Sequence, residues 1–205
     1  MIFLAHVLLA VLHNDSYPHH IINFYFSMLA SKAWNTNGIS VFGFPTFFCP
    51  SLTTSLIDPR SWTSGIDIFN KDFILIPVHD GLHWCLAVFN VGRHTLNVYD
   101  SIPYPQRKKD ILQLLKKYIR DEYRVKRGVS YPYELDEGLS PDVPIQTNGF
   151  DCGVFTCQYA KAILQGAGLH FRSRDMQVIR RTMIWEIVMG SVSWDHVNSD
   201  LVTYG

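Results

Sequence analysis

The sequence predicts an α+β protein with a small central mixed β-sheet flanked by helices. Three short stretches rich in β-branched and aromatic residues follow one another in the middle of the chain, and helical patterns stand before and after them. The length of 205 residues, with 47% apolar and 18% charged residues, fits one globular domain with a proper core. No internal repeat or linker-like tract divides the chain.

Before the sheet, the sequence predicts one buried helix. The apolar stretch IINFYFSMLASKAW, residues 21–34, lies between HNDSYPHH and NTNG. The Asn, Asp, Pro and Gly residues of these two flanking segments are typical of the loops that separate helices and strands. Its aromatic residues would also suit a strand. We take it as a helix that packs onto the predicted sheet.

The three central stretches are predicted as consecutive strands. They are DFILIPV (72–78), HWCLAVFNV (83–91) and TLNVYDS (95–101). Each is short and apolar, and Gly-containing turns separate them, as is typical of strands joined by hairpins.

Three helices are predicted after the sheet. Residues 106–123 form an amphipathic pattern whose basic residues we interpret as a solvated face. Residues 131–144 contain three prolines and no period, so they predict a loop. Helices then follow over 153–166 and 173–190, the latter with Ser173 as N-cap and Gly190 as its end. The apolar stripe of the first helix consists of Ile111, Leu114, Leu115, Tyr118 and Ile119.

Charge and cysteine content exclude several function classes. Basic and acidic residues number 18 each, so no net field would draw the chain to nucleic acid or to an anionic membrane. The four cysteines, at 49, 85, 152 and 157, form no CxxC pair, which argues against a zinc site and against a disulfide framework. A reducing compartment is the simplest interpretation.

The first twelve residues, MIFLAHVLLAVL, have the apolar character of a secretory signal. No positive charge precedes them and no clear cleavage site follows, and they are shorter than the ~20 residues of a membrane span. Three interpretations stay open: a signal peptide, a core-packed helix, or the ragged start of a truncated chain.

The stretch QTNGFDCGVFTC, residues 146–157, places Cys152 at the first turn of a predicted helix. The helix dipole and the unpaired N–H groups there favour a thiolate. His83 opens one predicted strand and Asp100 closes the next, so antiparallel pairing would bring imidazole and carboxylate together. Gln146 is a candidate donor to an oxyanion, with the backbone N–H of Cys152 as a second one.

Each of these residues also has a purely structural interpretation. A cysteine in an apolar helix is often a core residue. His83 and Asp100 would both be ordinary at strand ends, and Gln146 would be ordinary in a loop. Spacing alone therefore leaves both interpretations open.

The segments DIFNKDFILIPVHDGLHWCLAVFNV, LNVYDS and IQTNGFDCGVFTCQYA together resemble the SUMO-specific (sentrin-deconjugating, peptidase C48) cysteine proteases. The resemblance extends over residues 21–190, which it marks as the catalytic domain, with an uncertain segment 1–20 before it and a tail 191–205 after it. It implies a cysteine-protease-like fold whose catalytic Cys stands at a helix N-terminus.

The same resemblance implies roles for individual residues. Its catalytic order of His, Asp, Gln and Cys falls on His83, Asp100, Gln146 and Cys152, with Gln146 in the oxyanion hole. Trp84 would form one wall of a narrow tunnel that admits only the glycines of the substrate. No cofactor and no metal is implied.

The implied activity is cleavage after the terminal Gly-Gly of SUMO, either in conjugates with target lysines or in the precursor. SUMO and SUMO-conjugated proteins are the expected partners, with no nucleic acid and no membrane, and the expected form is a monomer. The resemblance implies a nuclear or cytoplasmic location and favours the nucleus.

One feature departs from the pattern of these proteases. They usually carry a Trp-Leu-Asn-Asp motif before the first helix, whereas this chain has LHND at 12–15, without the tryptophan that would form the second tunnel wall. Two alternatives to an active SUMO protease therefore stay open: a catalytically impaired SUMO-binding module, and a protease for another ubiquitin-like modifier.

Overall fold

A four-stranded mixed sheet lies at the centre of the computed structural model, which describes residues 19–54, 57–138 and 142–194. The strands are β1 (Val41–Gly43), β2 (Phe73–His79), β3 (Trp84–Asn90) and β4 (Thr95–Tyr99), in that spatial order. β1 runs parallel to β2, and the other neighbours are antiparallel. The predicted α+β class with a small mixed sheet is confirmed.

Five α-helices surround this sheet within the described residues. They are α1 (His19–Asn37), α2 (Phe48–Thr53), α3 (Pro105–Arg127), α4 (Cys152–Gln165) and α5 (Met176–Met189). Short 3₁₀ turns cover Pro59–Thr63, Ile68–Asn70 and Ser173–Asp175. The four predicted helices correspond to α1, α3, α4 and α5, with shifts of a few residues at their ends.

The prediction that Ser173 caps the last helix is wrong. Ser173 begins the 3₁₀ turn that precedes α5. Its hydroxyl instead accepts a hydrogen bond from the backbone N–H of Thr147, at 3.1 Å, and lies 2.8 Å from the Thr147 hydroxyl. The end at Gly190 is confirmed, because Gly190 adopts a left-handed φ of 63° after the last turn.

Both faces of the sheet are covered, and alternate side chains of β3 pack into two different hydrophobic cores, one on each face. Trp84, Leu86 and Val88 of β3 pack with α1, α4 and α5, which we call the first core. Cys85, Ala87 and Phe89 point the other way and pack with α2 and α3, which we call the second core. The nearly continuous apolar runs of β2 and β3 follow from burial on both sides.

Some of the sequence-based expectations lie outside the described residues. These include the signal-like residues 1–12, the LHND segment at 12–15 and residues 195–205 of the expected tail. Within the described part of the 131–144 loop there is one isolated bridge, between Thr95 and Asp136. No helix among the described residues combines the length and apolar character needed to cross a bilayer.

Candidate active site

The pairing of β3 with β4 brings the candidate histidine and aspartate together. Leu86 lies opposite Tyr99, so the residues just before β3 meet those just after β4. Nε2 of His83 and Oδ1 of Asp100 are 2.6 Å apart. Both residues are buried, with 6% and 8% of their surface exposed.

Asp100 is held as a carboxylate by three donors. Besides His83, its Oδ1 accepts the backbone N–H of Ile102, and its Oδ2 accepts Nη1 of Arg107, each at 2.9 Å. Burial alone would raise the pKa of Asp100, but these hydrogen bonds outweigh it and lower the pKa. The acid therefore stays ionised at neutral pH.

Arg107 is a site residue that the sequence interpretation assigned to a solvated face. It stands in the first turn of α3 and bridges two acids, because its Nε donates to Oδ2 of Asp80 at 2.9 Å while Nη1 reaches Asp100. A helical stripe pattern shows which side of a helix is apolar. It does not show which basic residue meets a carboxylate from a different element.

Asp80 fixes the backbone that presents the histidine. Its Oδ1 accepts the N–H groups of Leu82, at 3.2 Å, and of His83, at 2.8 Å. Gly81 lies between them with a φ of 95°, a conformation that favours glycine. The Asp-Gly pair in HDGLH is the sequence signal that points to this turn.

Cys152 is the first residue of α4, and its sulfur lies close enough to the ring of His83 to raise the pKa of that ring. Burial would lower the pKa of His83, but the hydrogen bonds to Asp100 and Cys152 and the charges of these two groups raise it to about 9. The imidazole is therefore held in its protonated form beside the sulfur.

The other three cysteines stand in contrast to Cys152. Burial raises the pKa of Cys49, Cys85 and Cys157, so their thiols stay protonated and unreactive. Cys152 is just as buried, at 2% exposed. The nearby imidazole is what distinguishes it from a core cysteine.

The turn that leads into α4 is built from side-chain hydrogen bonds. Oδ1 of Asn148 accepts the backbone N–H groups of Phe150 and Asp151, each at 3.1 Å. The carboxylate of Asp151 pairs with Arg180 of α5 at 2.7 Å, and both side chains are buried. The residue before the candidate nucleophile is thus anchored to a helix across the first core.

Gln146 is bonded to Ser101, the residue that follows Asp100, and is 6% exposed. Its side-chain oxygen accepts the hydroxyl of Ser101 at 2.6 Å, and its Nε2 donates to the carbonyl of Asn148 at 2.5 Å. Its backbone N–H donates to the carbonyl of Ser101 at 3.0 Å. Nε2 carries a second hydrogen, which the bond to Asn148 does not use.

Trp84 is 2% exposed and belongs to the first core. His79 stacks on its indole at 4.1 Å between ring centroids, and His19 meets it edge-on at 4.9 Å. His19 in turn stacks on Phe47, which is 55% exposed. Aromatic rings therefore cover Trp84 in this chain, and its role as a tunnel wall stays a prediction.

A thiol at the start of a helix, an imidazole held by a carboxylate and a nearby amide donor form the arrangement of the cysteine hydrolase class. The chain belongs to the Ulp1 protease family, because the model of its C-terminal catalytic domain matches residues 19–188.

Two curated relatives are similar to this chain over most of its length. Sentrin-specific protease 2 of Homo sapiens is 32% identical over 172 residues, which are 82% of this chain and 29% of the relative. A sentrin-specific protease of Caenorhabditis elegans is 32% identical over 174 residues, 82% of this chain and 24% of the relative. The chain thus spans less than a third of these proteins.

Solved structures show the same fold at lower identity. The Ulp1-like SUMO protease catalytic domain of Chaetomium thermophilum superimposes with a TM-score of 0.70 at 23% identity, covering 93% of this chain and 79% of that one. The Ulp1 protease domain in complex with Smt3, the yeast ortholog of SUMO, gives 0.71 at 22% identity, covering 90% and 81%.

Proposed function

We propose that this chain is a cysteine isopeptidase that cleaves after the C-terminal Gly-Gly of SUMO, releasing it from target lysines or trimming its precursor. The observation that carries the proposal is the position of His83, whose Nε2 lies 2.6 Å from Asp100 and whose pKa is raised by the nearby Cys152. The sentrin-specific names of the relatives and the Smt3 complex of a structural neighbour support SUMO as the modifier.

The chemistry follows from this geometry. The thiol proton of Cys152 is lost to solvent, and the sulfur, stabilised by the protonated ring of His83, attacks the carbonyl carbon of the terminal glycine. The C–N bond to the lysine amine then breaks, His83 gives its proton to that amine, and a thioester remains. A water then gives one proton to His83 and its hydroxyl to the carbonyl carbon, and the C–S bond breaks. The glycine acid loses its remaining proton to solvent and leaves as the carboxylate, and the sulfur of Cys152 again lies beside a protonated His83.

The remaining residues of the site assist this reaction without forming or breaking covalent bonds themselves. Asp100 orients the ring of His83 and stabilises its charged form. The second N–H of Gln146 Nε2 and the backbone N–H of Cys152 stabilise the oxyanion that forms on the attacked carbonyl. Trp84 restricts the approach to glycine, whose missing side chain lets the backbone pass close to a ring.

The test is incubation of the purified chain with SUMO that carries a C-terminal propargylamide, followed by intact-mass measurement. We expect a covalent adduct with the mass of one SUMO, and we expect it to disappear in Cys152→Ser. Cys157→Ala is the matched control, because this cysteine lies in the same helix but away from the proposed chemistry. The control should label like the unchanged chain.

Two outcomes would replace the proposal by its alternatives. SUMO binding without an adduct, from a folded sample, would identify a binding module with an impaired site. Faster turnover of another ubiquitin-like modifier, when fluorogenic C-terminal amides are compared side by side, would identify a different substrate.

We further propose that residues 21–190 act as a monomeric catalytic unit in the nucleus or the cytoplasm. The family resemblance favours the nucleus. Fluorescence microscopy of the tagged protein and sedimentation of the purified chain test these two statements.

A further inference from the structure

We propose that Ser101 is a positioning residue that orients Gln146 for oxyanion stabilisation. This inference rests on the proposed hydrolase function and adds a residue to its site. Ser101 is completely buried, and it directly follows Asp100, which holds the histidine.

Ser101 holds Gln146 at two points. Its carbonyl accepts the backbone N–H of Gln146 at 3.0 Å, and its hydroxyl donates to the side-chain Oε1 at 2.6 Å. The first bond fixes where the residue lies, and the second fixes which way its amide faces. Both bonds cross 45 residues of sequence and join the end of β4 to the loop before α4.

The orientation of this amide decides whether the site has a donor. With Oε1 turned to Ser101, Nε2 donates to the carbonyl of Asn148 at 2.5 Å and keeps one further N–H for the substrate. A flipped amide would set Oε1 against the Asn148 carbonyl, which is also an acceptor. It would then present no N–H at the position that Nε2 now occupies.

Loss of the Ser101 hydroxyl would leave the Oε1 of a buried amide without its partner. An unsatisfied buried acceptor is costly, so the amide would leave its present orientation for part of the time. The catalytic donor would then be present in only a fraction of the molecules. Asp100 and Ser101 thus orient the base and the oxyanion donor from adjacent positions of one chain segment.

The test compares Ser101→Ala, Gln146→Ala and the double variant in hydrolysis of a SUMO C-terminal fluorogenic amide. We expect Gln146→Ala to lower kcat by roughly 10²- to 10³-fold. Ser101→Ala should lower kcat by about tenfold with little change in KM, as the loss of one buried hydrogen bond does. The double variant should be no slower than Gln146→Ala, because Ser101 acts only through Gln146. Multiplicative losses would overturn the proposal.

Alkylation of Cys152 by iodoacetamide provides a control reaction, since it forms no oxyanion. Its rate should be the same in Ser101→Ala as in the unchanged chain. Equal slowing of alkylation and hydrolysis would mean that Ser101 acts through Cys152 or His83, and would refute the role assigned here. Ser101→Cys supplies a weaker donor on a slightly larger side chain, so its kcat should lie between those of serine and alanine.

A spectroscopic readout separates this inference from the proposed function. The side-chain amide signals of Gln146 in a ¹H–¹⁵N spectrum are assigned by their loss in Gln146→Ala. Their hydrogen exchange should accelerate in Ser101→Ala even if no SUMO substrate is turned over. If the hydrogen exchange of the Gln146 amide is unchanged in Ser101→Ala, the positioning role of Ser101 is overturned. If exchange accelerates but no SUMO substrate is turned over, only the proposed hydrolase function is contradicted.

Discussion

At the residue scale, the charge on His83 is the property on which the site depends. Its ring lies between a buried carboxylate and a buried thiol, and both favour the imidazolium form. Arg107 adds a positive charge on the far side of Asp100 and keeps that acid ionised. Protonation of this cluster should therefore be coupled to folding as well as to catalysis.

We expect the free energy of unfolding to fall as the pH rises from about 6.5 to about 9. The pKa of His83 is raised from 6.5 to about 9 in the folded chain, so its stabilising effect is complete below pH 6.5 and lost above 9. A shift of this size corresponds to at most about 3 kcal/mol. Denaturant unfolding of the unchanged chain and of His83→Gln should give a difference that shrinks across this window. A difference that stays constant would contradict the coupling.

Asp100→Asn should reduce kcat by roughly 10³- to 10⁴-fold while SUMO binding persists, as in related triads. The amide keeps the shape of the side chain but cannot stabilise the charged imidazole of His83. Steady-state hydrolysis of a SUMO amide measures the effect. Asp121→Asn, on the exposed side of α3, is the control and should retain full activity. A loss of less than tenfold in Asp100→Asn would contradict the assigned role.

Sequence patterns and the family resemblance point to the four residues proposed for the chemical step, but not to the residues that support them. Cys152 and His83 stand in recognisable local patterns at the ends of predicted elements. Arg107 and Ser101 act through contacts across 7 and 45 residues of sequence. Such contacts depend on how the elements pack, which local patterns do not encode.

At the element scale, the buried pair of Asp151 and Arg180 joins the start of α4 to α5. Arg180→Met should destabilise the chain by about 3 to 5 kcal/mol, because it leaves the Asp151 charge buried without a cation. Denaturant unfolding measures this. The double variant with Asp151→Asn should recover part of the loss, since no uncompensated charge remains. A cost below about 1 kcal/mol for Arg180→Met would show that the pair is not structurally important.

The end of α3 depends on a left-handed glycine. Gly128 has a φ of 72°, and a Cβ added there would meet nothing within 4 Å. Gly128→Ala should therefore cost about 1 kcal/mol from backbone conformation alone. Gly92→Ala, at a glycine without positive φ, should cost close to nothing. Equal changes in the thermal midpoint of the two variants would contradict this explanation.

Elements with a clear periodicity were predictable, and short ones were not. The three central strands and the four long helices each carry an apolar pattern over several residues. β1 has only three residues, too few to show alternation, and its pairing with β2 arises from the fold. The N-terminal end of α5 was misplaced because Ser173 has a cap-like side chain that bonds Thr147 instead.

At the scale of the whole molecule, one sheet joins two cores that share no side chain. Ile22 of α1 lies in the first core, and Ile119 of α3 lies in the second. The candidate site draws on both cores, since Cys152 begins α4 in the first core and Arg107, which bonds Asp100, lies on α3 in the second. The geometry of the site therefore requires both cores to be folded.

Ile22→Val and Ile119→Val should each cost about 1 kcal/mol, and the double variant about 2 kcal/mol, because the two sites lie on opposite faces of the sheet. Unfolding should stay a single transition in which tryptophan fluorescence and far-ultraviolet circular dichroism coincide. If the cores unfolded independently, each substitution would move only one of two transitions. Coincident curves that shift together would show that strands buried on both faces make the two cores one cooperative unit.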